Sequence, residues 1–151
     1  MHIYITRHGN AISTLEDPNR PLSVKGIESI NLLAHYFKSN DITPTSVLHS
    51  SKIRAQQTAM IISDTLSCSI NSMDGLLPND PIEPIVEYIN SLSRSTLFVG
   101  HLPFVDLLLS NLIINDPHNS IAAFQAGATA CIEKAYPGKW VLNWFVDPNF
   151  F

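Results

Sequence analysis

The chain has 151 residues, 45% of them hydrophobic and 15% charged, with a formal net charge of −4. That length suits a single domain over residues 1–151, and the composition excludes a disordered chain. The acidic balance and the scattered lysines and arginines argue against nucleic acid or an anionic membrane as the partner.

The chain opens Met1-His2-Ile3-Tyr4-Ile5-Thr6-Arg7. No basic stretch leads into a long apolar one, so no signal peptide is expected, and the apolar runs are too short to span a bilayer. The two cysteines, Cys68 and Cys131, form no CxxC pair and read as buried thiols. A cytoplasmic protein is the expectation.

In chain order, Ile3–Thr6 reads as a buried strand running into Arg7-His8-Gly9. Residues 10–23, with Pro18 and Pro21, read as a loop. From Ser23 to about Lys38 the set Ile27, Ile30, Leu33, Ala34 and Phe37 has helical spacing. Ser46–His49 reads as a second strand. Ser50 and Ser51 then offer an N-cap for a helix to about Leu66, with Ala55, Ala59, Ile62 and Leu66 as its buried stripe. Residues 67–84, holding Pro78, Pro81 and Pro84, read as loop. A helix is predicted over Ile85–Leu92, and a third strand over Thr96–Val99 closed by Gly100-His101. Pro103 suits the first turn of a helix carrying Phe104, Leu107, Leu108 and Leu112. Ala128–Ile132 and Trp140–Val146 read as a hairpin turned at Pro137-Gly138. The order predicts an α/β fold: a three-layer α/β/α sandwich around a mostly parallel sheet with antiparallel additions.

Three apolar strands end at chemically notable residues: Arg7-His8-Gly9, Ser50-Ser51 with Arg54 just beyond, and Gly100-His101. Open α/β sheets place their sites at the carboxyl ends of strands. If these strands are parallel neighbours, Arg7, His8, Arg54 and His101 converge. Lys52 and Arg54 at a helix N-terminus oppose its dipole, at a cost of about 0.3–1 kcal/mol each. An anion bound there would account for them. Taken singly, each of these features has a plainer meaning: a solvated loop, a tight turn, a capping histidine. No HExxH, HxH or cysteine pair has metal-ligand spacing, so neither a metal nor another cofactor is expected. There is no Walker A motif, no GxGxxG and no GxSxG elbow.

Four segments taken together carry a resemblance. Arg7-His8-Gly9 after a short N-terminal strand resembles the signature of the histidine phosphatase, or phosphoglycerate-mutase-like, superfamily. Arg20-Pro21-Leu22 with Lys25-Gly26 resembles its next turn. Ser50-Ser51-Lys52-Ile53-Arg54-Ala55-Gln56-Gln57-Thr58 resembles its Ser-Pro-x-x-Arg-Ala-x-x-Thr element, with Ser51 in place of proline. Val99-Gly100-His101 resembles its distal Gly-His element. The short length, His101-Leu102-Pro103 and Asn143-Trp144 are similar to the SixA-type phosphohistidine phosphatases within it.

The resemblance implies that His8 attacks phosphorus and forms a phosphohistidine enzyme, which water then hydrolyses. Arg7 and Arg54 would neutralise the phosphoryl oxygens, and His101 would add a donor if protonated. The same cations should keep His8 unprotonated. Many members carry an acid that protonates the leaving group; here Asn79 stands in the corresponding region, with Asp80 and Glu83 as nearby substitutes. A missing acid favours an imidazole leaving group, hence a phosphohistidine-containing protein of phosphorelay or phosphotransfer type as substrate. The alternatives are a phosphatase of small phosphorylated metabolites and a phosphoprotein-binding module without turnover.

Overall fold

Side chains alternate across each strand, and two helical layers take up the two faces. The computed structural model describes residues 1–151. Its elements are β1 (His2–Arg7), α1 (Val24–Ser39), β2 (Ser46–His49), α2 (Ile53–Leu66), β3 (Ser69–Ser72), α3 (Glu83–Ser91), β4 (Thr96–Gly100), α4 (Phe104–Ile114), β5 (Thr129–Tyr136) and β6 (Lys139–Val146), then a 3-10 turn at Pro148–Phe150. Ile3, Ile5, Leu48, Phe98, Ala130 and Ile132 face one layer, packed with Ile85 and Ile89 of α3 and Phe104, Leu108 and Leu112 of α4. Tyr4, Val47, Leu97, Val99 and Cys131 face the other, with Ile30, Leu33 and Phe37 of α1 and Ala55, Ala59 and Ile62 of α2. The α/β/α sandwich expected from the element order is the fold observed. No helix is long and apolar enough to cross a membrane.

The sheet order is β3-β2-β4-β1-β5-β6. The first four strands in that order run parallel, while β5 pairs antiparallel with β1 and with β6. In register, Arg7 lies opposite Gly100 and His49 opposite Val99. The carboxyl ends of β1, β4 and β2 therefore stop at one level, side by side.

Some boundaries differ from the sequence reading. Residues 69–72, expected in a loop, form β3, an edge strand paired only with β2. Ser69-Ile70-Asn71-Ser72 is mostly exposed and polar, so it carries no apolar alternation to read. Ser50 and Ser51 do not cap α2: Lys52 occupies the cap position, and its side chain accepts no bond from the helix amides. α3 starts at Glu83, before Ile85, with Pro84 in its first turn. Pro103 is the cap residue of α4 rather than inside its first turn. Ile27 lies on the exposed side of α1, because Gly26 is the residue buried there.

Candidate active site

Arg7 is the last residue of β1, so its backbone is fixed by pairing with Gly100, and its amide donates to Ala128 O at 3.0 Å. Its side chain reaches across to the 121–128 segment, where Nη1 donates to Phe124 O at 2.8 Å. Its Nε is buried and has no partner in the protein. Burial and the charge of Arg20 lower the Arg7 pKa.

The next residue, His8, is 7% exposed, and its amide donates to Gly100 O at 3.0 Å. Ring Nδ1 lies 2.7 Å from Gly9 O, a pure acceptor, so Nδ1 carries the hydrogen. Nε2 accepts from Arg54 Nε at 3.2 Å, so Nε2 presents its lone pair. The two contacts define one neutral tautomer. Burial, opposed by the Gly9 bond and reinforced by Arg54, Arg7 and Arg20, pushes the His8 pKa down to about 4. The sequence pointed to the cations as the reason for a neutral His8; desolvation comes first and the cations add to it.

Arg54 comes from the first turn of α2, where no acidic residue and no capping side chain serve the helix amides. The helix is tied to the His8 loop by Thr58, whose Oγ1 accepts from Gly9 N at 3.0 Å and donates to Arg54 O at 2.8 Å.

His101 follows β4 and is 1% exposed, with its ring centroid 5.0 Å from that of His8. Its Nε2 lies 2.5 Å from Ser50 Oγ, and its Nδ1 is buried without a partner. Desolvation first, then His8, Arg54, Lys52 and Arg20, pushes its pKa down to about 3. The sequence reading let His101 donate once protonated; in the structure the ring is neutral at ordinary pH, because burial beside so many cations opposes a further charge.

The structure thus brings Arg7, His8, Arg54 and His101 together, and three further residues belong beside them. Arg20 acts on the protonation of all four and donates from Nε to Ile12 O at 3.2 Å. Its backbone is left-handed at φ 48°, an uncommon conformation for a residue with a side chain. Ser50 and Thr58 hold His101 and Gly9 in place. All three lie within recognised segments, but Ser50 was expected to cap a helix rather than to bond His101.

No carboxylate balances this cluster: the molecule's one ion pair joins His2 to Glu133. Asn79 is exposed, Asp80 Oδ2 accepts from Leu77 N at 2.9 Å, and Glu83 is exposed in the first turn of α3. None of the three is among the charges acting on His8 or His101. The largest surface cavity, about 740 Å³, lies elsewhere, between Ile121, Leu142, Phe145 and Phe151, and contains none of the four residues. A concentration of buried donors around a neutral imidazole suits a compact, oxygen-rich anion attacked in line by nitrogen.

Comparison with known proteins gives the same picture. The model of the histidine phosphatase superfamily (branch 1) matches residues 3–77. The chain is 28% identical to the phosphohistidine phosphatase SixA of Escherichia coli (strain K12), over 98% of this chain and 94% of that protein. It is similar to a solved structure of the protein histidine phosphatase SixA complexed with tungstate, at TM-score 0.87 and 28% identity, covering 99% of both chains. A putative phosphohistidine phosphatase SixA from Agrobacterium tumefaciens shares the fold at TM-score 0.81 and 22% identity, covering 97% of both chains.

Proposed function

The chain belongs to the histidine phosphatase superfamily, and we propose that it is a phosphohistidine phosphatase working through a phosphorylated His8. The observation that carries the reading is the pair of contacts on the His8 ring, Nδ1 to Gly9 O and Arg54 Nε to Nε2. They leave one nitrogen with a lone pair, at a group whose pKa of about 4 keeps it unprotonated.

In the first step the Nε2–phosphorus bond forms as the bond from phosphorus to the leaving group breaks. The fork donors of Arg7 and Arg54 offset the charge on the equatorial oxygens, and Arg54 exchanges its bond to Nε2 for one to the incoming group. A leaving imidazole protonated on its other nitrogen departs neutral and needs no acid from the enzyme. Water then attacks phosphorus, the bond to Nε2 breaks and returns its electron pair to the neutral ring, and phosphate leaves as dihydrogen phosphate carrying both protons of the water.

The substrate reading is supported by two things. The similar SixA of Escherichia coli is named a phosphohistidine phosphatase. Asp80, the candidate acid next to Asn79 in the chain, is engaged in holding the 77–80 turn. An alkoxide leaves poorly without a proton, whereas imidazole, with a conjugate acid near pKa 6.5, leaves readily. The physiological substrate on this reading is a phosphohistidine-containing protein of phosphorelay or phosphotransfer type. The test is a panel of phosphohistidine protein, phosphoserine peptide and sugar phosphate, read as phosphate release. Preference for phosphohistidine is expected; equal or faster release from the sugar phosphate would favour a metabolite phosphatase, and no release from any would favour a binding module.

A further inference from the structure

The hydrogen-bond inventory of Ser50 restricts what His101 can do. Ser50 is 1% exposed and follows β2, with its amide donating to Val99 O at 3.3 Å. Its Oγ has two neighbours. Lys52 N donates to it at 3.3 Å, and His101 Nε2 lies 2.5 Å away. An amide can only donate, so the hydroxyl is an acceptor toward Lys52. The hydroxyl hydrogen then needs an acceptor, and His101 Nε2 is the one within reach. Were Nε2 protonated instead, Ser50 would accept twice and its own buried O–H would have no partner, at a cost of about 1–3 kcal/mol.

We propose that Ser50 is a positioning residue, which by donating to His101 Nε2 fixes that ring in the Nδ1–H tautomer and makes it an uncharged N–H donor to the phosphoryl group. The hydrogen that His101 offers is then the one on Nδ1, a buried nitrogen without a protein partner. Ser50 is on the β2 side of β4, whereas β1 and His8 are on the other, and the two imidazole rings stand 5.0 Å apart. A neutral donor suits this place. An imidazolium beside Arg54, Lys52 and Arg20 would meet repulsion before the anion arrives, while a neutral N–H still strengthens its bond as charge builds on the oxygens. Serine is also short and rigid enough to hold Nε2 without entering the space around His8.

This assignment rests on the phosphatase reading for its consequence, but its first test does not. Long-range proton–nitrogen NMR of the unmodified protein with labelled histidine reads the tautomer of each ring directly. His101 is expected to show protonated Nδ1 and bare Nε2 near pH 7, and Ser50→Ala should shift it to Nε2–H or to a mixture. A His101 protonated on Nε2 alone, or on both nitrogens, in the unmodified protein overturns the proposal. In turnover, Ser50→Ala should lower kcat by about a hundredfold with a much smaller change in KM. Ser50→Thr, which keeps the hydroxyl, should recover most of the loss. Wild-type kcat in Ser50→Ala would also overturn the proposal. If the tautomer is as expected but the unmodified enzyme releases no phosphate from any substrate, the proposed function fails while the assignment of the ring stands.

Discussion

Because Nδ1 of His8 is bonded to Gly9 O, a covalent phosphoryl group can form only on Nε2. Rapid quenching during turnover should therefore trap one acid-labile, alkali-stable phosphoryl group, and His8→Ala should abolish it and cut turnover by about a thousandfold or more. Arg54→Lys should recover little of the activity lost in Arg54→Ala, because Nε–H and the guanidinium fork are lost together. The same burial has a cost in stability. His8 and His101 titrate near 4 and 3 when folded, against 6.5 for an ordinary histidine. Between pH 6.5 and about 4 the unfolded chain binds protons that the folded chain does not. Stability is thus full above 6.5 and falls as pH drops, by up to about 1.4 kcal/mol per unit for each histidine. Urea midpoints from pH 7 to 5 should show this slope, and His8→Ala should flatten it. The meeting of Arg7, His8, Arg54 and His101 was legible because each ends or follows a strand or opens a helix at a recognisable spacing. The bond from Ser50 to His101 was not, because it joins residues 51 positions apart.

At the level of elements, the site depends on how α1 and α2 meet the loop after β1. Ser23 N donates to Asn10 O at 2.9 Å, and Ser23 Oγ caps α1 at Gly26 N. A Cβ on Gly26 would come within 2.0 Å of Asn10 O, a backbone atom with no freedom to move aside. Gly26→Ala should destabilise the fold by about 1–3 kcal/mol, read as a lowered urea midpoint, and reduce turnover by displacing the segment that carries His8. Thr58→Val should leave the buried Gly9 N–H unpaired at a similar cost. The helices were readable from their apolar spacing, and β1, β2 and β4 from their buried runs. β3 escaped because an edge strand of serine and asparagine contributes backbone pairing and almost no core. The start of α2 escaped because Lys52, not a capping side chain, stands there; an uncapped helix end is what an anion site needs and what a capping rule misses.

For the molecule as a whole, no carboxylate is among the charges acting on His8 and His101, and on the proposed function this has a kinetic consequence. Across a series of aryl phosphates the rate should fall steeply as the leaving-group pKa rises, and Asp80→Asn or Glu83→Gln should change phosphohistidine turnover little. A flat series that turned steep in one of these variants would identify that residue as the acid.

The sheet order also governs when the protein can exist during its own synthesis. β1 pairs with β4 and β5, and β2 with β3 and β4, so β1 and β2 never touch through their backbones. A nascent chain that has emerged only as far as residue 95 holds β1 with no strand to pair with. Its His8 and Arg54 belong to two pieces whose strands are not yet joined, with only the packing of α1 on α2 and the Thr58 bond to Gly9 N between them. β4 is the wedge that arrives late and completes both halves, and it brings His101 in the same stroke. β1 must therefore stay apolar and unpaired until the chain has been made beyond β4.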